Sequence, residues 1–79
     1  GFARTRNLSA TGVMIESSDP FELEQFVTLD FLMNDNRVLK LRGSVTHLTR
    51  TDEGLNLVGI IFENLTTEAK QLLAQLIEA

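Results

Sequence analysis

The sequence predicts a small, mainly β domain: an antiparallel β-barrel finished by one C-terminal α-helix. Three observations lead there. Apolar and polar residues alternate with period two in successive short segments, as half-buried strands require. The segments are separated by turn-forming clusters too short for helical crossovers, so neighbouring strands must run antiparallel. From Thr66 onward the apolar period changes to that of a helix.

The first strand is read over Phe2 to Asn7, with Phe2, Arg4 and Arg6 on one side and Ala3, Thr5 and Asn7 on the other. Ser9-Ala10-Thr11-Gly12 is turn chemistry, after which Val13, Met14 and Ile15 resume an apolar strand that stops at Ser17-Ser18-Asp19-Pro20. An acidic loop with Glu22 and Glu24 leads to a strand whose Val27, Leu29, Phe31 and Met33 share the buried face, opposite Thr28 and Asp30. The Asn34-Asp35-Asn36 turn opens a long strand over residues 37–50, in which Leu39, Leu41 and Val45 alternate with Lys40, Arg42 and Ser44. Gly43 is expected to let that strand bend. A hairpin at Thr51-Asp52-Glu53-Gly54 enters Leu55 to Phe62, apolar on both faces after Asn56, with one face expected in the barrel and the other beneath the helix. In that helix Ala69, Leu72, Leu73, Leu76 and Ile77 form the apolar stripe, and Thr66 is the expected N-cap.

Composition narrows the function. The 79 residues form one domain, at 43% hydrophobic and 23% charged an ordinary globular composition. No apolar run approaches the ~20 residues that would span a bilayer. Without cysteine there is no disulfide framework or thiolate chemistry, which fits a cytoplasmic setting. A net charge of −4 argues against DNA or RNA as partner, because that affinity comes from cations displacing phosphate counterions. His47 is the sole histidine, which excludes a multi-histidine metal site and leaves a Ser-His-Asp triad unsupported; it reads as an ordinary strand residue. No enzyme and no cofactor is expected.

The informative stretch is Arg6 to Val13, where an amide, a hydroxyl and a glycine surround one tight turn leaving an arginine-bearing strand. Those groups suit a nucleotide phosphodiester. The Asn7 amide can both donate to and accept from a guanine edge, and Ser9 offers a hydroxyl to a phosphate or purine oxygen. Gly12 lets the backbone come close and permits positive φ, so that N–H groups around the turn can form an anion-binding concavity. Arg4 and Arg6 can contact phosphate or guanine O6 and N7, and can stack on a base.

Here the chain resembles the PilZ family, whose second signature is Asp or Asn, any residue, Ser, two residues, Gly. Asn7, Ser9 and Gly12 match it position for position. The likeness continues through the Leu41-Arg42-Gly43-Ser44-Val45 phrase, the Val58 to Phe62 strand, and the Leu65 to Glu68 entry into the final helix. It implies a bacterial split barrel that holds cyclic di-GMP on its outer surface and responds by repacking a fused domain or protein partner. It assigns Arg4, Arg6, Asn7, Ser9 and Gly12 to the ligand. The family's first signature, two arginines separated by three residues, has no match in this chain, where Arg4 and Arg6 stand one residue apart. The start at Gly1, directly on a strand, leads to the expectation that residues 1–79 are one domain lacking its N-terminal arginine segment. The competing reading is a degenerate adaptor that binds protein instead of nucleotide, with the helix stripe as a homodimer surface if left undocked.

Overall fold

The computed structural model describes residues 3–78. Its elements are β1 (Arg4–Leu8), β2 (Gly12–Ser17), β3 (Phe26–Leu32), β4 (Val38–Arg50), β5 (Asn56–Glu63) and α1 (Thr67–Glu78). They form one antiparallel sheet in the order β1-β2-β5-β4-β3, curled into a half-barrel with the helix at its C-terminal end. The predicted mainly β class with one terminal helix is therefore what the chain adopts. Among the described residues the curl stays open between β1 and β3, and Thr5, Ile15, Leu29 and Phe31 line the gap.

Alternation decides which side of the sheet each residue occupies. Val13, Ile60 and Val45 face one another across β2, β5 and β4, and all three are buried. Leu39, Leu41, Val58 and Phe62 complete the same inner face, and Phe31 meets Phe62 edge-on at 6.3 Å between ring centres. Leu73 of α1 enters this cluster and is 1% exposed, so the helix plugs the inner face, against β4. The two-sided apolar pattern led to the expectation that the helix would cover the outer face of β5; it does not, and Ile61 on that face is 50% exposed. Leu72 and Leu76 pack against the core, whereas Ile77 is left largely in solvent.

The turns follow from residue types that tolerate a left-handed backbone. Asn36 (φ 67°) closes the β3–β4 hairpin and Gly54 (φ 82°) the β4–β5 hairpin. Thr66 caps α1, its hydroxyl accepting the Ala69 N–H at 3.0 Å.

Two strands depart from simple alternation. In β1 the partners of Thr5 and Asn7 are Ile15 and Met14, which are adjacent, so Arg6 is a bulge residue with no partner of its own. In β4 the partners of Val45 and His47 are Ile60 and Gly59, so Thr46 is the extra residue there. The irregularity expected at Gly43 thus lies three residues later. Gly43 answers a packing need instead: a Cβ there would stand 2.6 Å from both the Ile60 side chain and the Ile61 carbonyl oxygen.

Candidate functional site

The bulge at Arg6 rearranges the face assignments of β1. Unbroken alternation would set Asn7 opposite Arg4 and Arg6. In the structure Arg4 pairs with Glu16 and Asn7 with Met14, and Glu16 and Met14 both lie on the outer face of β2. Arg4 and Asn7 therefore share the outer face. Arg6 joins them through its guanidinium, which donates to Glu16 Oε2 at 2.9 Å. The remaining member of the predicted alternation, Phe2, lies outside the described residues.

The turn after β1 is closed by its own side chain. The Ser9 N–H donates to the Gly12 carbonyl at 2.9 Å, and Ser9 Oγ accepts the N–H groups of Thr11 (3.3 Å) and Gly12 (3.2 Å). A serine suits this place because its short hydroxyl reaches backbone groups two and three residues ahead. The expected concavity of bare N–H groups is consequently filled, since two of those donors already point at Ser9. What the turn presents outward is the exposed hydroxyl, within 3.2 Å of the Gly12 carbonyl and 3.3 Å of Thr11 Oγ1.

Gly12 serves a different purpose from the one its conformational freedom suggests. It does not adopt positive φ, which among the described glycines belongs to Gly54. It sits where β2 meets β5, and a Cβ would fall 2.3 Å from the Ile60 carbonyl oxygen. The close approach that demands glycine is therefore to the neighbouring strand.

Asn7, Ser9 and Gly12 border one shallow depression of about 270 Å³, with Met14, Gly59 and Ile61 in its lining. Two further polar residues, Thr46 and His47, line it as well, and sequence reasoning missed both. For His47 the bulge is the cause: alternation from Val45 sets Thr46 outward and His47 inward, whereas both turn outward. The signal available in advance was the spacing of three, instead of two, between the apolar positions Val45 and Leu48. A second depression of about 570 Å³ lies beside it, lined by Leu23, Phe26, Ser44, Thr46 and Glu63 among others.

The local electrostatics are those of a solvated surface. The Arg6–Glu16 pair is half-exposed on the arginine side and largely covered on the glutamate side. Away from the depression, the Arg37 backbone N–H holds the exposed Asp35 carboxyl below the ordinary carboxylate range. Among the described residues no group of three or more His, Asp or Glu could hold a metal ion, and no helix is long and apolar enough to cross a membrane.

The chain is thus a half-barrel with polar groups gathered on its outer face and a helix plugging its inner face. The chain belongs to the PilZ domain family, whose model matches residues 2–79. This is a family of cyclic di-GMP receptor domains and not a catalytic one. No curated protein and no solved structure matches the chain.

Proposed function

We propose that this domain binds cyclic di-GMP across the outer face of the half-barrel, in a cytoplasmic bacterial protein, and passes occupancy to a fused domain or partner by changing how it packs. The observation that supports it most is the β1 register, which sets Arg4 and Asn7 on the face that Ser9 and Gly12 also border. In this reading Asn7 addresses a guanine edge, Ser9 turns its hydroxyl hydrogen from the Gly12 carbonyl to a phosphate or purine oxygen, and Arg4 and Arg6 supply charge-assisted contacts to phosphate. Gly12 keeps β2 and β5 close enough for the floor to be flat. Recruiting Arg6 means exchanging its bond to Glu16 for one to phosphate. One charge-assisted hydrogen bond replaces another, so the gain has to come from the further contacts that the nucleotide makes on the same face.

Calorimetry of the full-length protein with cyclic di-GMP tests the reading. Micromolar or tighter binding, weakened at least tenfold by Asn7→Ala, is the expected result; no heat at millimolar nucleotide rejects it. One observation favours the adaptor reading: Phe26 and Leu23, 70% and 58% exposed, stand beside the larger depression. That reading predicts a protein complex that Phe26→Ser disrupts and that forms whether or not nucleotide is present.

A further inference from the structure

The pairing register draws a straight line across four strands: Asn7 on β1, Met14 on β2, Gly59 on β5 and His47 on β4. With neighbouring strands about 4.8 Å apart, three steps separate Asn7 from His47 by roughly 14 Å, the reach of an extended ligand and not of a lone phosphate. At each bulge the residue after the extra one takes the outward position, which sets Asn7 and His47 at the two ends of this line.

We propose that His47 forms the far end of the same site and selects guanine over adenine in a cyclic dinucleotide, an inference that rests on the nucleotide reading above. Gly59 contributes no side chain between Met14 and His47, and the His47 imidazole leans into the space this leaves, with Nδ1 and Cγ 3.6 and 3.7 Å from where a Cβ of Gly59 would stand, so a planar base entering the depression meets the ring directly. Thr46 fixes the chemistry of the imidazole. Its hydroxyl donates to the Gly59 carbonyl at 3.4 Å, and its oxygen stands 3.4 Å from His47 Nδ1. In the tautomer assigned by this proposal, Nδ1–H donates to that oxygen and Nε2 is the ring's open acceptor. Guanine presents N1–H and N2–H₂ donors on its pairing edge, whereas adenine presents an acceptor at N1, no N2 amine, and its one donor there, the N6 amine, at the place of guanine O6. An acceptor that meets the N1 and N2 positions at the end of the strip therefore favours guanine.

The test is a titration of the full chain with cyclic di-GMP and cyclic di-AMP, comparing wild type, His47→Ala and His47→Gln, with the melting temperature of each variant as a folding check. His47→Ala is expected to weaken cyclic di-GMP about tenfold, the size of one well-placed hydrogen bond to a base, and to leave cyclic di-AMP within about twofold. Glutamine, whose amide oxygen can also accept, should recover part of the loss. If His47→Ala binds cyclic di-GMP within twofold of wild type while Asn7→Ala binds poorly, the role of His47 is overturned and the nucleotide site stands. If wild type binds neither dinucleotide, the site reading falls and the assignment of His47 falls with it.

Discussion

Gly12 shows how one residue can satisfy two readings for different reasons. A glycine in a polar turn matches a ligand signature, yet the coordinates explain its presence through the Ile60 carbonyl, 2.3 Å from where a Cβ would stand. Gly12→Ala should therefore destabilise the fold by about 1–3 kcal/mol in urea denaturation with no ligand present, because the clash is with backbone and cannot be relieved by a rotamer change. Loss of nucleotide binding in that variant would report misfit between β2 and β5, which makes Asn7 the better probe of contact. Glu16 offers a complementary experiment. Glu16→Gln removes the carboxylate that holds Arg6, and should tighten cyclic di-GMP roughly two- to fivefold by calorimetry, the scale of an exposed ion pair. The residue types of this turn were legible in the sequence because Asn, Ser and Gly have few other reasons to cluster. The use of each was not: whether Ser9 Oγ meets a ligand or its own backbone depends on dihedral angles that no spacing encodes.

At the scale of elements, the strands and the helix were readable wherever a single period ran unbroken. β3 is the clearest case, with Val27, Leu29, Phe31 and Met33 turned inward as alternation requires. The helix start was equally plain, because a threonine before an apolar stripe has a specific job to do at the first turn. Thr66→Ala should lower stability by about 1 kcal/mol, read from chemical denaturation, through the loss of the acceptor for the Ala69 N–H. β1 and β4 were harder, since period-two reasoning presumes one residue per pleat and each of these strands carries one too many. Asn7 was assigned to the wrong face for that reason, and His47 was taken for an ordinary strand position. Gly43 misled in the same way: a bare residue within a strand suits a bend or a tight contact equally well, and only the position of Ile60 decides.

For the molecule as a whole, the sheet has one side that carries the core and one that stays open to solvent. Leu73 joins Val45 and Val58 among the most deeply buried side chains, although it comes from α1 and not from the sheet. Leu73→Ala should cost about 2–5 kcal/mol and lower the thermal midpoint by ten degrees or more, a large fraction of what an 8.8 kDa domain possesses. The outer face should keep its strand pairing until that cooperative transition, because it has no separate core. The sequence announced a packed helix through its apolar stripe, but it set that helix over the outer surface of β5, where Ile61 is as apolar as its buried neighbours and nevertheless faces water. Hydrophobicity indicates that a residue can be buried, not that a covering layer exists.

The ladder of paired residues runs past Arg6 and Thr46 as though neither were present: Thr5 and Asn7 meet adjacent partners, and so do Val45 and His47. Excising Thr46 would thus leave every inner contact in phase, and a protein shortened by that single residue should still unfold cooperatively. Its damage would be confined to the outward relief of the sheet. Arg6 and Thr46 are in this sense supernumerary to the architecture and available for selection to shape without renegotiating the core.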